Sequence, residues 1–287
     1  MSEKTDKRLS RLLKGKEIYK PMDTGWIDSR VACLREYAVN VFFYRKNGRT
    51  IMIDAGCDYE KLQKKMSWLG IRPEEVSHIF LTHQDADRVG ALEKGREMLF
   101  PEARVYLGSL ENEYFTGLFK RKIFNGMQTV PGMQLNCTPS LLKDRQVVKI
   151  RDIQVESILV PGHTLGHMVY LIDNTYLFTG DALWLGPDGG YSFLNILADN
   201  NKLASESLQN LKEILKEKEI QPVVITGHTG WTDDFYFAFA HIDKACNALK
   251  KQKPHDPAAP EDPYLELTDI EKKARTQRLE KQKKITP

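Results

Sequence analysis

The apolar positions of the chain switch repeatedly between strand-like and helix-like spacing. The Asn47-Gly48 pair separates two β-rich runs and is typical of a two-residue hairpin turn. Asp173-Asn174 separates two further runs in the same way. The pattern predicts strands over residues 37–44, 50–53, 76–81, 147–150, 155–160, 168–172, 176–179 and 223–226.

Three segments carry apolar residues at helical spacing. Asp58 is suited to cap a helix that ends at Gly70, and Asn200 or Asn201 is suited to cap a longer one. The apolar positions are Leu62, Met66 and Leu69 in the first helix, and Leu203, Leu208, Leu211, Ile214 and Leu215 in the second. A third helix is predicted from Val89 to Met98, before Pro101. This alternation is typical of packed sheets flanked by helices.

Residues 107–146 have no clear period. Tyr114, Phe115, Phe119 and Phe124 are scattered among Lys, Gly and Pro, so we expect helical pieces and a long loop. Loops on a rigid scaffold often carry specificity, and this segment is a candidate for substrate contacts. Packing of the same aromatic residues into the interior is an equal alternative.

The two ends of the chain differ from its centre. Leu9, Leu12 and Leu13 in a basic setting predict a short amphipathic helix, and residues 1–30 form an N-terminal extension. One domain is expected over residues 31–250. Residues 251–287 read as a Pro-rich linker and a charged helix that begins at a capping box, Thr268-Asp269-Ile270-Glu271. We expect a solvated tail there rather than a partner-binding helix.

Composition narrows the classes of function. The hydrophobic content of 41% and charged content of 28% are ordinary for a soluble globular protein, and no apolar run is long enough for a bilayer. A net charge of +3 is too small to indicate nucleic acid. The four cysteines are far apart and form no CxxC pair, and the charged start is unlike a secretory signal. We expect a cytoplasmic protein with a small-molecule substrate; a homo-oligomer stays open.

Histidine and aspartate residues follow four of the predicted strands. Strand ends are where open α/β sheets place their sites, and imidazole and carboxylate groups are the side chains that bind metals or move protons. The four motifs are Thr82-His83-Gln84-Asp85-Ala86-Asp87-Arg88 after residues 76–81, Gly162-His163-Thr164 after 155–160, Gly180-Asp181 after 176–179 and Gly227-His228 after 223–226.

In this order, the motifs resemble those of the metallo-β-lactamase superfamily. Its pattern is Thr-His-x-His-x-Asp-His, then Gly-His-Thr, Gly-Asp and Gly-His, and the resemblance covers about residues 35–245. It implies an α/β fold, a four-layer αββα sandwich of two mixed β-sheets flanked by helices. It also implies one or two metal ions in the cleft between the sheets, and most members are hydrolases.

The resemblance assigns the site residue by residue. His83 and His163 match the imidazole ligands of the first metal position and Asp181 the bridging carboxylate, whereas Asp87 and His228 match the second position. Two residues depart from the pattern, since Asp85 replaces a histidine and Arg88 replaces the fourth ligand.

A carboxylate at position 85 remains a competent ligand, but a guanidinium has no free lone pair for a cation. We therefore expect one transition metal ion at His83, Asp85, His163 and Asp181, zinc before iron or manganese. A second ion is disfavoured by the charge of Arg88, which is expected to pair with Asp87 or Asp181.

These residues predict a metal-dependent hydrolase of a small ester, thioester, lactone or phosphoester. Asp87 is the candidate general base, and Arg88 either replaces the charge of a second ion or holds an anionic substrate. Two alternatives remain: a non-haem iron oxidoreductase, and a binding protein that has lost turnover. His167 is a candidate for orienting a ligand. Structural or surface roles are expected for His78, His241 and His255, and pocket-lining or core roles for Trp184, Tyr191 and Trp231.

Overall fold

The computed structural model describes residues 19–124 and 126–246. The predicted N-terminal helix, the Pro-rich linker, the C-terminal helix and His255 lie outside these residues, and the division into domains stays a prediction. Within the described part of the chain, no helix is both long enough and apolar enough to span a bilayer.

Strands make up most of the regular structure. The first nine are β1 (Gly25–Trp26), β2 (Val31–Glu36), β3 (Val39–Lys46), β4 (Arg49–Ile53), β5 (Val76–Leu81), β6 (Arg104–Gly108), β7 (Lys122–Ile123), β8 (Gln128–Thr129) and β9 (Ser140–Leu142). The next nine are β10 (Val147–Ile150), β11 (Ile153–Leu159), β12 (Met168–Ile172), β13 (Tyr176–Phe178), β14 (Leu183–Gly186), β15 (Gly189–Ser192), β16 (Val223–Ile225), β17 (Trp231–Thr232) and β18 (His241–Ala245).

The helices are shorter and fewer among the described residues. They are α1 (Tyr59–Trp68), α2 (Ala86–Val89), α3 (Asn112–Thr116), α4 (Asn201–Glu217) and α5 (Phe235–Ala238), with 3-10 turns at Pro73–Glu75, Gly90–Leu92 and Asn195–Leu197. Both predicted caps are confirmed. The Asp58 carboxylate accepts a hydrogen bond from the Lys61 N–H, and the Asn200 side chain accepts one from the Leu203 N–H.

Two mixed sheets form the centre of the fold. The first has the order β1-β2-β3-β4-β5-β6-β9, antiparallel up to β4 and parallel from β4 onward. The second has the order β10-β11-β12-β13-β16-β17, in which only the β13–β16 pair is parallel. The strands β14, β15 and β18 form a small third sheet, and β7 pairs with β8.

Three apolar clusters show how these sheets are layered. One cluster lies between the two sheets, where Phe42 contacts Phe178 and Phe80 contacts Tyr170, with ring centroids 5.5 and 5.3 Å apart. The other face of the first sheet packs against α1, and the other face of the second sheet packs against α4. The result is the expected four-layer αββα sandwich.

The prediction of a helix from Val89 to Met98 is wrong. Only α2 and one 3-10 turn form, because the backbone N–H groups of Gly90 and Ala91 donate to the carbonyls of Gly56 and Ala55 instead of continuing a helix. A Cβ on Gly90 would lie 2.6 Å from the Cys57 Cα, so this close approach requires glycine. Met98 is 51% exposed and contributes no apolar helix face.

The segment of residues 107–146 is only partly as expected. It contains the short helix α3, but it also contributes β7, β8 and β9, which its irregular pattern did not predict. Tyr114 and Phe124 are buried, in agreement with the packing alternative for these aromatic residues.

Candidate metal centre

The Asp54 carboxylate fixes the start of the loop that follows β5. The backbone N–H and hydroxyl of Thr82 both donate to the Asp54 carboxylate, at 2.7 and 2.9 Å. The same hydroxyl oxygen lies 3.0 Å from Nδ1 of His83, so it can accept that N–H while its own proton points to Asp54. This arrangement leaves Nε2 of His83 as the lone-pair atom that faces the site.

The other candidate ligands come from the second sheet. His163 follows β11, Asp181 follows β13 and His228 follows β16, so three loops reach the same edge as the Thr82-His83 loop. Gly180 has φ +51°, and a Cβ on it would lie 2.8 Å from the Thr82 side chain. Glycine at this position therefore lets the Asp181 loop lie against the His83 loop.

Four side-chain atoms converge at the first position. Nε2 of His83 lies 3.6 Å from Oδ2 of Asp85 and 3.6 Å from Oδ2 of Asp181. Nε2 of His163 lies 3.3 Å and 3.6 Å from the same two oxygens. Ligands of a tetrahedral zinc ion are about 3.4 Å apart, given metal–ligand bonds near 2.1 Å.

The chemistry of these atoms also fits a metal. Nε2 of His83 is buried and has no hydrogen-bond partner among the residues that the structure describes. A buried polar atom without a partner is costly unless something binds it. Two imidazole nitrogens with two carboxylate oxygens form a donor set that suits zinc, iron or manganese.

The second position is occupied by a side chain. Asp87, Asp181 and His228 come together as expected, but Nη2 of Arg88 lies among them, 2.7 Å from Nε2 of His228 and 3.4 Å from Oδ2 of Asp87. Nη2 also donates to Oδ1 of Asp181, and Nη1 lies 3.8 Å from Asp54. A guanidinium cation thus lies where the second ion of the superfamily pattern would bind.

Arg88 keeps these carboxylates ionised. Burial opposes ionisation of Asp181, yet the Arg88 guanidinium holds its pKa well below the usual value. The pKa of Asp87 is lowered against burial in the same way. For Asp54, burial prevails and raises the pKa to about 6 although Arg88 acts against it. Arg88 has no exposed surface, so holding an anionic substrate does not fit its position.

A second buried arginine, Arg121, lies at the first position and was not predicted. Its Nε and Nη2 each lie 2.9 Å from one oxygen of Asp85, which is a two-pronged ion pair. Burial opposes ionisation of Asp85, but the charge of the Arg121 guanidinium holds its pKa well below the usual value. Arg121 lies in the irregular segment before β7, and no local spacing marks it in the sequence.

Aromatic side chains cover one side of the site. The Phe193 ring stacks on His228 at 5.2 Å and meets His163 edge-on at 5.4 Å, and Tyr19 meets His228 at 4.8 Å. The side chains of Asp85 and Asp87 are 22% and 19% exposed, more than those of the other candidate ligands. Solvent therefore reaches the site from the Asp85 and Asp87 side.

Two further residues support the loops. His167 accepts a hydrogen bond at Nε2 from the Asp181 N–H, which agrees with a role in orienting a ligand. Glu111 accepts hydrogen bonds from the Gln84 N–H and the Thr164 hydroxyl, so it connects the loop of His83 to the loop of His163. Burial raises the pKa of the Glu111 carboxyl group to about 7, although these two hydrogen bonds act in the opposite direction.

The other residues named in the sequence analysis pack against apolar or aromatic side chains. Trp184 and Tyr191 pack in the apolar cluster with Phe193, and Trp231 packs beside the inter-sheet cluster. His241 lies against Tyr191. His78 stacks on Tyr106 in the first sheet.

Replacement of Gly227 by Ala is expected to destabilise the protein by about 1–3 kcal/mol. A Cβ there would lie 2.6 Å from Oδ1 of Asp181 and 2.8 Å from Nη2 of Arg88, and both groups are buried and hydrogen-bonded to each other. Denaturant unfolding measures this loss. The matched control is Gly132→Ala, whose Cβ would approach only the Tyr114 carbonyl, at 3.3 Å. Equal effects of the two substitutions would contradict the tight fit around Arg88.

Comparison with known proteins assigns the chain to a family. The sequence profile of the Metallo-beta-lactamase superfamily matches residues 34–228. The chain therefore belongs to the metallo-β-lactamase superfamily, as its motifs indicated.

Two relatives with assigned names are similar over most of the domain. One is "Probable polyketide biosynthesis zinc-dependent hydrolase PksB" of Bacillus subtilis (strain 168), 26% identical over 180 residues, which are 62% of this chain and 67% of the relative. The other is "Hydroxyacylglutathione hydrolase" of Glaesserella parasuis serovar 5 (strain SH0165), 23% identical over 216 residues, 75% of this chain and 76% of the relative.

Solved structures agree on the fold. MEM-A1, a subclass B3 metallo-beta-lactamase from a soil metagenome library, is 14% identical, with a TM-score of 0.53 over 74% of this chain and 81% of its own. A metallo-beta-lactamase family protein from Thermus thermophilus is 20% identical, with a TM-score of 0.51 over 71% of this chain and 75% of its own. The αββα fold predicted from the motifs is confirmed.

Proposed function

We propose that this protein is a hydrolase that uses one transition metal ion, zinc by preference, bound by His83, Asp85, His163 and Asp181. The observation that carries the proposal is that Nε2 of His83 and Nε2 of His163 each lie 3.3–3.6 Å from Oδ2 of Asp85 and of Asp181, with the buried Nε2 of His83 lacking a partner among the described residues. Membership of a superfamily with zinc-dependent hydrolases among the relatives supports it.

The side chains around this position have separate roles in the proposed reaction. A zinc ion held there would lower the pKa of water and polarise the scissile bond. Asp87 lies at the second position with Asp181, its side chain is 19% exposed, and it is the proposed acceptor of the proton from the attacking water. Arg88 supplies fixed positive charge to Asp181 and Asp87, in place of a second ion.

We propose a thioester as the first substrate class to examine. The name of the Glaesserella relative specifies a glutathione thioester, and thioesters belong to the ester-like bonds that this donor set can hydrolyse. Oxygen esters, lactones and phosphoesters complete the series, because the described residues provide no fixed group that selects among them.

The purified protein is expected to contain close to one transition metal ion per chain. The reason is that Arg88 fills the second position, whereas at the first position the His83 and His163 imidazoles face the carboxylates of Asp85 and Asp181. Elemental analysis after metal-replete, anaerobic purification measures the content. A chelator should remove the metal and the hydrolysis of the four substrate classes together, and zinc should restore both.

Other outcomes would redirect the assignment. Two tightly held ions per chain would mean that Arg88 leaves the second position. Tightly held iron with no hydrolysis of any of the four classes would favour the oxidoreductase alternative. A protein that retains no metal under these conditions would contradict the proposal.

A further inference from the structure

We propose that Arg121 is a positioning residue that holds Asp85 as an oxygen ligand of the first metal position, so that Arg121 and Asp85 act as a matched pair. The inference rests on the proposed metal site, and its consequence is measured as metal affinity and ligand geometry. It concerns a residue outside the superfamily motifs, and it explains why an aspartate can replace the usual histidine at position 85.

The first step is the geometry of the guanidinium. Nε and Nη2 of Arg121 donate to the two oxygens of Asp85, both at 2.9 Å, and the Gln84 side chain donates to Oδ1 of the same carboxylate at 2.6 Å. Oδ2 accepts a hydrogen bond from Arg121 but not from Gln84. It lies 3.3 Å from Nε2 of His163 and 3.6 Å from Nε2 of His83. The carboxylate is thus fixed with one lone pair directed at the imidazole nitrogens.

The second step is that Arg121 is fully engaged. Nη1 donates to Oδ1 of Asp199 at 2.9 Å, and Nη2 also donates to the Leu197 carbonyl at 2.6 Å. The side chain is buried, so its nitrogens are not presented to a substrate. Its contacts with the candidate ligands are the two hydrogen bonds to Asp85 and the approach of Nη2 to Nε2 of His163, at 3.2 Å.

The third step is the connection to the loop of His163. The Asp199 N–H donates to the His163 carbonyl at 3.0 Å, while its carboxylate pairs with Arg121. One guanidinium therefore joins the loop that carries Asp85 to the loop that carries His163. Partners of this kind orient metal ligands and strongly influence metal affinity.

The fourth step explains the aspartate itself. A planar guanidinium binds a carboxylate through two parallel hydrogen bonds, which an imidazole cannot accept. A histidine at position 85 would leave Arg121 with Asp199 alone, beside Nε2 of His163 at 3.2 Å. Aspartate at 85 and arginine at 121 are therefore mutually dependent.

Arg121→Met is expected to weaken zinc binding by about 10–100-fold in competition with a chromophoric chelator. The visible spectrum of the cobalt-substituted protein should change as well, because Asp85 is no longer held towards the imidazoles. Arg121→Lys keeps the charge but not the two-pronged geometry, so it should fold and still show both effects in a weaker form. The matched control is Arg104→Met at the exposed start of β6, which should bind zinc like the parent.

A double-substitution cycle tests the matched pair. Asp85→His alone should weaken zinc binding, and Asp85→His combined with Arg121→Met should bind zinc more tightly than either single variant. Thermal melts of the metal-free proteins check folding, and the Arg121→Lys variant serves if Arg121→Met does not fold.

Parent-like zinc affinity and cobalt spectra in Arg121→Met, or in Arg121→Lys when only that variant folds, would overturn the inference. So would additive effects in the cycle. These results differ from a failure of the proposed function, in which the parent protein itself would bind no zinc.

Discussion

Replacement of His163 by Ala is expected to remove the bound metal and the hydrolytic activity together, with metal affinity reduced by more than about 100-fold. Nε2 of His163 lies 3.3 Å from Asp85 and 3.6 Å from Asp181, so its loss removes one of the four proposed ligands. The same substitution deprives Phe193 of a ring contact, but this contact lies at the periphery of the site. Elemental analysis and chelator competition measure the metal, and the thioester assay measures activity.

The control for this experiment is His241→Ala. His241 lies in β18 against Tyr191, and its Nε2 lies 3.1 Å from the Asp188 carbonyl, so it has no contact with the converging atoms. This variant should retain the metal content and activity of the parent. Full metal content in His163→Ala would show that the loop after β11 does not carry a ligand. The assignment of the Gly162-His163-Thr164 motif would then have to change.

The sequence predicted the fold correctly where turn and cap residues agree with the pattern of buried apolar residues. The hairpin at Asn47-Gly48 forms between β3 and β4, because these residues adopt the left-handed backbone conformation that such a turn requires. Strand β5 and the capped helix α4 also follow their patterns. The helix predicted from Val89 fails because a distant turn, at Ala55 and Gly56, takes the hydrogen bonds that the helix would need.

The site was predictable only where residues belong to the strand-end motifs. The sequence singled out all six candidate ligands, and the structure brings them together in two groups: His83, Asp85 and His163, and Asp87, Asp181 and His228. Arg121, Phe193 and Tyr19 were missed. They reach the site from segments without a regular period, and their roles depend on long-range contacts, such as the 36 positions between Asp85 and Arg121.

The two arginines give the site an unusual division of charge. Arg121 pairs with Asp85 at the first position, and Arg88 pairs with Asp181 and Asp87 at the second. Arg121 is also bound to Asp199 and the Leu197 carbonyl, and its Nη2 lies 3.2 Å from Nε2 of His163. Arg88 lies within the second position itself. We therefore expect opposite effects on metal binding. Replacement of Arg121 should weaken binding at the first position, whereas replacement of Arg88 by histidine should allow an ion to bind at the second.

Arg88→His is expected to raise the metal content from one to two ions per chain. The substitution removes a buried positive charge and adds an imidazole beside Asp87, Asp181 and His228, the group of residues that already converges there. Nε2 of His228 lies 3.2 Å from Asp181 and 3.4 Å from Asp87, which are suitable separations for ligands of one ion. Isothermal titration with zinc beside the parent measures the stoichiometry, and the thioester assay measures any gain in rate.

The matched control is Arg88→Met, which removes the charge without supplying a ligand. The metal-free form of this variant should lose about 3–5 kcal/mol of stability, because Asp181, Asp87 and Asp54 would lose their shared buried cation. Added zinc should recover less of this loss than in Arg88→His, since only three ligands remain at the second position. An unchanged stoichiometry of one in Arg88→His would mean that the charge of Arg88 is not what prevents the second ion from binding. Loss of hydrolysis at that unchanged stoichiometry would assign the guanidinium itself to the reaction, through the carboxylates that it holds.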